Sequence, residues 1–311
     1  MINLIYQIIR TARPRQWLKN LSVFAAPIFL GNFFVPSVFI SGFKAFIVFC
    51  ILSSGAYFIN DIIDAPKDRL HPIKKNRPIA SGKISLGFAW LISFSLIGTA
   101  VVYSALFVGS FFTLAVITYA IIQLFYSLYF RNVIILDALV VATGFVLRVF
   151  AGGFAVNSSI SSWLILTTIG LSLLLAFGKR RSEKTILAEH LTNSQTRETL
   201  RHYPDTLLDS MISMSASFCI VAYSLFAFQI SPQIAGNSLI SILPSILKSP
   251  KWMMLTIPIV IYGVARYLYI IYEKKGGESP ERVLLSDRPI LATVLLWVVA
   301  IMLIIYGLPQ N

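Results

Sequence analysis

The sequence predicts an all-α, polytopic membrane protein, and three observations carry that prediction. Of 311 residues, 57% are hydrophobic and only 13% charged, and the mean hydropathy is +0.77, too apolar for a water-soluble domain. The apolar residues fall in runs of about twenty, the length a helix needs to cross a hydrocarbon core roughly 30 Å thick. These runs are continuous rather than alternating, which favours helices over a barrel in a solvent where the backbone must satisfy its own hydrogen bonds.

Taken in order, the first residues read as a short interfacial helix rather than a cleavable signal. Ile2, Ile5, Ile8 and Ile9 are interrupted by polar residues and followed by Arg10, Arg13 and Arg15. Nine candidate spans follow, near 20–36, 38–59, 86–107, 110–130, 133–156, 161–178, 210–230, 252–272 and 290–308. Together they make one membrane domain over residues 1–311, with polar loops at 60–85, 179–209 and 273–289. The loop 179–209 mixes charge with spaced apolar positions and is expected to contain a short amphipathic helix, while Gly276 and Gly277 mark a turn in the last loop. Cys50 and Cys219 each lie within an apolar run, so they are expected to pack rather than to form a disulfide or a zinc site.

Charge sets the orientation. With the amino terminus inside, the inner segments carry 21 of the 26 Lys and Arg residues, and only Lys44, Lys248 and Lys251 fall outside. The net charge of +13 is thereby explained without nucleic acid, although an anionic ligand stays open. Twelve of the 13 acidic residues occupy the same inner segments, and the last, Asp137, lies just inside the fifth span. The polar chemistry therefore faces one compartment, which places the working face on the cytoplasmic side of the cell membrane.

The segment from Asn60 to Gly82, NDIIDAPKDRLHPIKKNRPIASG, joins this polar face to the end of the second span. At about 100° per residue, Asn60, Asp64, Asp68 and Asp61 fall at roughly 0°, 40°, 80° and 100°, a single helix face. Pro66 weakens the last step, since it must kink the helix or begin another. Crowded carboxylates repel unless a cation sits among them, and hard oxygen donors suit Mg2+, which takes one or two carboxylates and completes its shell with water and phosphate. Asn60, Asp64 and Asp68 are the expected metal ligands, with Asp61, Asp64 and Asp68 the catalytic carboxylates. The basic residues that follow, among them Arg69, His71, Lys74 and Arg77, are suited to grip the same phosphates.

Two further cations stand out. Arg148 in the fifth span and Arg266 in the eighth are expected to need an anion, because an unpaired guanidinium in the membrane is costly. That anion is either a residue of another helix or a substrate phosphate. Asp137 is on the same face as Arg148 but about 16 Å away along the axis, out of reach. Tyr126 and Arg131 flank the inner end of the fourth span and point to the same opening, and Gly144, Gly152 and Gly153 permit close helix approach or a groove for a lipid tail.

The stretch from Asn60 to Asp68 resembles the first signature of the UbiA superfamily of intramembrane prenyltransferases, whose members bind a magnesium diphosphate at such a motif. The stretches RPRQWLKN (13–20), NDIIDAPKDRLHPIKKNRPIASG (60–82), YSLYFRNVIILD (126–137), GFVLRVFAGG (144–153) and FGKRRSE (177–183) are together similar to one branch, the decaprenyl-phosphate phosphoribosyltransferases. The second acidic motif usual in the superfamily is replaced here by Gly178-Lys179-Arg180-Arg181-Ser182-Glu183, a cationic patch that suits a phosphate directly. The resemblance implies Mg-dependent transfer of phosphoribose from phosphoribosyl diphosphate (PRPP) to a polyprenyl phosphate, with Lys19, Lys179 and Arg180 joining the substrate contacts. Prenyl transfer to an aromatic or other acceptor is the alternative on the same scaffold. A transporter is the alternative of another class, against which stands the gathering of the acids at one rim rather than at the midplane.

Overall fold

A computed structural model describes residues 2–70, 74–189, 203–231, 251–274 and 279–307. It is helical, with no strand among the described residues. Eight of its helices are long and apolar enough to cross a membrane, and large apolar side chains such as Leu106, Phe111 and Leu303 lie 64% to 70% exposed on their outer faces. The chain is a multi-pass membrane protein. It divides into two compact units, Met1–Ile160 with His190–Tyr203 and Ser161–Glu189 with Pro204–Asn311.

The first unit contains α1 (Ile2–Ala12), α2 (Ala25–Phe29), α3 (Pro36–Leu70), α4 (Leu86–Phe107), α5 (Ser110–Leu128) and α6 (Leu136–Ala155). Its core is built from Val48, Phe49 and Leu52 of α3, Phe112, Val116 and Tyr119 of α5, Ala151 of α6 and Val23. The first expected span, 20–36, is not an α-helix. An 11-residue 3-10 helix, Pro14–Phe24, precedes the five residues of α2, and Pro14, Pro27, Gly31 and Pro36 break any longer α-helical run.

The 3-10 helix nevertheless runs antiparallel to α3 along its whole length. Arg13 meets Asp61, Trp17 Nε1 donates to Ser54 Oγ at 3.1 Å, Asn20 Nδ2 donates to Ser53 Oγ at 3.3 Å, and Phe24 stacks on Phe46 with ring centroids 5.6 Å apart. At about 2.0 Å per residue, its 11 residues cover roughly 22 Å. The stretch of α3 from Phe46 to Asp61 covers about the same distance at 1.5 Å per residue. So long a 3-10 helix is unusual, and these side-chain bonds to α3 hold it in register. It also packs on α6 at Gly152, where a Cβ would lie 1.9 Å from the Val23 carbonyl oxygen.

In the second unit, α7 (Ser162–Glu189) packs along α8 (Asp205–Ile230), followed by α9 (Ile257–Tyr272), α10 (Pro280–Ser286) and α11 (Arg288–Gly307). Gly170 permits the closest approach, since a Cβ there would lie 2.8 Å from the Cys219 Cα. Helix α7 continues well past residue 178, so Lys179 to Glu183 are helical rather than the start of a loop. Residues 190–202 of the loop expected at 179–209, the turn at Gly276 and Gly277, and His71, His190 and His202 lie outside the described residues. Both cysteines are buried and free.

Candidate active site

Helix α3 runs unbroken through Pro66 to Leu70, so the whole acidic motif stands on one helix. Asn60 accepts a hydrogen bond from the Ser127 hydroxyl of α5. Asp61, only 3% exposed, pairs through Oδ1 with Arg13 Nη2 at 2.5 Å and Arg77 Nη1 at 3.3 Å. Asp64 grips Arg131 with both oxygens, Oδ2 to Nη1 at 2.8 Å and Oδ1 to Nη2 at 2.7 Å. Asp68 Oδ2 takes Arg77 Nη1 at 2.7 Å. Three carboxylates of one helix are thus matched by three guanidinium groups from three other places in the chain.

Each arginine is delivered by a distinct local device. Helix α1 ends at Arg13, which adopts the left-handed conformation (φ 55°) before Pro14. A non-glycine residue there costs about 1 kcal/mol, offset here by the Asp61 ion pair and by the Tyr57 ring 5.1 Å from the guanidinium carbon. Arg77 sits in a compact turn whose Ile79 and Ile84 bury against Phe58, Ile62 and Ala65 of α3. Gly82 closes that turn at φ +76°, a conformation that favours glycine.

Arg131 lies in the 3-10 turn Phe130–Asn132 after α5. Just beyond it, Ile135 (φ 68°, ψ −47°) makes a γ-turn of the strained, positive-φ kind, closed by Leu136 N–H to Ile134 O at 2.8 Å. Such a conformation costs about 1–3 kcal/mol and persists only where its surroundings enforce it. Here Tyr203 does so, its hydroxyl accepting from the Ile135 N–H at 2.5 Å and donating to Asp137 Oδ1 at 2.7 Å.

The other expected site residues are distributed more widely. Arg69 and Lys74 are exposed at the end of α3 and in the next turn, close in sequence to Asp68 and Arg77. Tyr126 is half-buried on α5 beside Ser127. Lys19 is half-buried on the 3-10 helix, about 12 Å further along it than Arg13.

For Arg148 the alternative of an anionic side chain on another helix is corrected. The side chain is buried, and its described partners are neutral: Asn20 Oδ1 at 2.8 Å, the Gly144 carbonyl at 2.7 Å and the Tyr119 hydroxyl at 2.6 Å. The rings of Tyr119, Phe145 and Phe49 lie 4.7, 5.6 and 5.9 Å from its guanidinium carbon. Three fixed dipoles and three ring quadrupoles stand in place of a carboxylate, and Arg148 thereby ties α6 to the 3-10 helix and α5.

In the second unit Arg266 finds its anion within the chain. It makes a two-point pair with Asp287 at 3.1 and 2.9 Å, and Lys274 joins at 2.9 Å. The Arg266 bond, aided by Lys274 and the Ile290 N–H, holds the Asp287 carboxyl well below the usual carboxylate range. Lys179 and Arg180 both pair with Glu183, at 3.7 and 2.8 Å, while Arg181 binds Asp209 at 2.9 Å.

Sequence reasoning missed Arg13, Ser127 and Tyr203 as members of this region. For Arg13 a signal existed: a cation immediately before Pro14, where a helix must end. For Ser127 and Tyr203 there was none, since nothing local marks a serine or tyrosine that bonds a residue 66 or 67 positions away.

Comparison with known proteins extends the reading. Residues 21–179 match the model of the UbiA prenyltransferase family. The decaprenyl-phosphate phosphoribosyltransferase of Corynebacterium glutamicum is 33% identical over 99% of this chain and 89% of its own. That of Mycolicibacterium smegmatis is 32% identical over 98% and 94%. Among solved structures, a UbiA homolog from Archaeoglobus fulgidus bound to GPP and Mg2+ superposes with a TM-score of 0.69 at 19% identity, covering 96% of this chain and 99% of that one. Sequence along nearly the whole chain and fold agree, and both lead to one assignment: this chain is a transferase of the UbiA prenyltransferase family.

Proposed function

We propose that this chain transfers the 5-phosphoribosyl group of PRPP to a polyprenyl phosphate, releasing pyrophosphate, with a divalent cation held by Asn60, Asp64 and Asp68. The observation that carries the reading is the nest at the end of α3, where anionic oxygens suited to a hard cation and guanidinium groups suited to phosphate lie in contact. The full-length likeness to two phosphoribosyltransferases supports PRPP over a prenyl diphosphate as donor. So does the basic run Lys179 to Arg181, standing where an acidic motif would serve a prenyl diphosphate. The inner concentration of Lys and Arg supports a cytoplasm-facing site in the cell membrane.

The donor set at the end of α3 is open rather than a closed cage. Among the described residues, no group of three or more His, Cys, Asp or Glu side chains could hold an ion alone. Mg2+ does not require such a cage, since one or two carboxylates suffice when phosphate and water complete the shell. Asn60, Asp64 and Asp68 at successive turns fit that pattern. When bound, the cation neutralises charge on the departing diphosphate.

The chain's own residues supply the rest. Arg77, Lys74 and Arg69 take up the remaining phosphate charge. Buried Asp61 orients Arg13 and Arg77 by accepting from both. As the bond from ribose carbon 1 to diphosphate lengthens, positive charge grows on the sugar ring, as in glycoside cleavage. The attacking lipid phosphate is already an anion at neutral pH, so no general base is demanded of the chain. Positioning and electrostatics carry the rate.

The test is direct. Purified protein with Mg2+ is offered PRPP and decaprenyl phosphate, and in parallel a prenyl diphosphate with aromatic acceptors. Pyrophosphate and a phosphoribosylated lipid are expected from the first pair. Release only from the second pair overturns the reading in favour of prenyl transfer.

A further inference from the structure

We infer that Arg77 and Arg131 are ligands of the donor's diphosphate that rest on the metal's carboxylates, Asp68 and Asp64, until cation and donor enter together, and that Arg13, held by Asp61, is a third ligand of that diphosphate. The inference rests on the phosphoribosyl-transfer reading and deepens it by stating how the site is loaded. Asp64 has both oxygens engaged by Arg131, and Asp68 and Asp61 share Nη1 of Arg77. A cation arriving alone must break these pairs and leave guanidinium groups with only water. A diphosphate arriving alone must draw the arginines away from carboxylates that then repel one another and the newcomer.

When both arrive, every charge keeps a partner: carboxylate oxygens turn to the cation, and the guanidinium forks turn to phosphate oxygens, whose geometry they match as well as they match carboxylates. Arg13 and Arg77 are reachable for this exchange, 32% and 28% exposed above Asp61 and Asp68 at 3% and 6%, whereas in the Arg131 pair the carboxylate is the more open partner, Asp64 at 21% against 14%, so the cation can approach it directly. Metal and donor binding are therefore positively coupled, and the coupling resides in the ion pairs. Arg13 joins the donor site without leaving Asp61: Nη2 keeps the buried carboxylate, and its other N–H groups reach the diphosphate.

The experiment uses the full-length protein in detergent. Mn2+ binding is followed by electron paramagnetic resonance, PRPP binding by calorimetry at saturating Mn2+ with correction for the metal that PRPP itself chelates, and folding by thermal melting. In the wild type, Mn2+ binds about tenfold or more tightly once PRPP is present. Arg131→Gln and Arg77→Gln tighten Mn2+ binding in the absence of PRPP by about tenfold and weaken PRPP by a similar factor. Arg13→Gln weakens PRPP. Arg131→Lys keeps the charge but loses the two-point grip, so it also tightens Mn2+ alone, by roughly threefold, an effect that charge by itself does not produce.

If Arg131→Gln and Arg77→Gln weaken both ligands, or leave Mn2+ alone unchanged, the exchange is overturned while the transfer reading stands. If the folded wild type binds no PRPP with or without Mn2+, the transfer reading itself is overturned, and the exchange with it.

Discussion

Gly152→Ala is the most informative single change in the first unit, because its consequence can be worked from distances. A Cβ at residue 152 would lie 1.9 Å from the Val23 carbonyl oxygen, 2.8 Å from the Val23 carbonyl carbon and 3.2 Å from its Cα. An ordinary carbon-to-oxygen contact is about 3.3 Å or more, so α6 and the 3-10 helix must separate by roughly 1.4 Å. All three atoms are backbone, so no side chain can swing aside. One turn earlier, Arg148 holds the same 3-10 helix through Asn20, resisting the separation.

The cost belongs at the upper end of overpacking, about 3 kcal/mol, and predicts a fall in melting temperature of roughly 6–12 °C. Because the displaced segment begins at Arg13, transfer activity should fall as well, by up to about a hundredfold for a shift near 1 Å. Gly98→Ala is the control: a Cβ there meets nothing within 4 Å, and alanine in a helix interior is favoured over glycine by about 1 kcal/mol. Melting of both variants in detergent, read by intrinsic fluorescence, decides the matter. A Gly152→Ala protein that melts within a degree of the wild type refutes the close-packing argument.

Three other outcomes follow from the described contacts. Asp64→Ala and Asp68→Ala should lower turnover by at least about a hundredfold while the protein still folds, as judged by size exclusion and melting; normal turnover in both removes the metal role. Tyr203→Phe deletes an acceptor for the strained Ile135 N–H and a donor to Asp137, and should cost about 1–3 kcal/mol, with faster amide exchange at 135 as the local readout. Asp287 has a folded pKa below its unfolded value, so its ion pair adds stability that is complete above about pH 4 and lost only as pH falls through the depressed value. The melting difference between wild type and Asp287→Asn should accordingly stay constant from pH 8 to about pH 5 and shrink only in stronger acid; a difference that already fades near pH 6 would contradict that assignment.

Much of the architecture was legible in the linear chain because it depends on local quantities. Run length and composition locate eight of the expected spans, since lipid imposes one length on every crossing helix. Helical pitch alone puts Asn60, Asp61, Asp64 and Asp68 on one face, and the helix does extend that far despite Pro66. The expected crossing at 20–36 was legible as an apolar run but not as a 3-10 helix, whose register comes from Ser53, Ser54 and Phe46 on α3 rather than from its own residues.

What the tertiary structure alone decided is which charge answers which. Arg13 reaches Asp61 across 48 positions and Arg131 reaches Asp64 across 67, separations over which no periodicity persists. Arg148 and Arg266 look alike in sequence, each a cation in an apolar helix. Packing surrounds the first with neutral dipoles and rings and gives the second a carboxylate. The physical reason is the same throughout: pitch and hydropathy act between neighbours along the chain, whereas a buried charge is satisfied by whatever three-dimensional packing brings beside it.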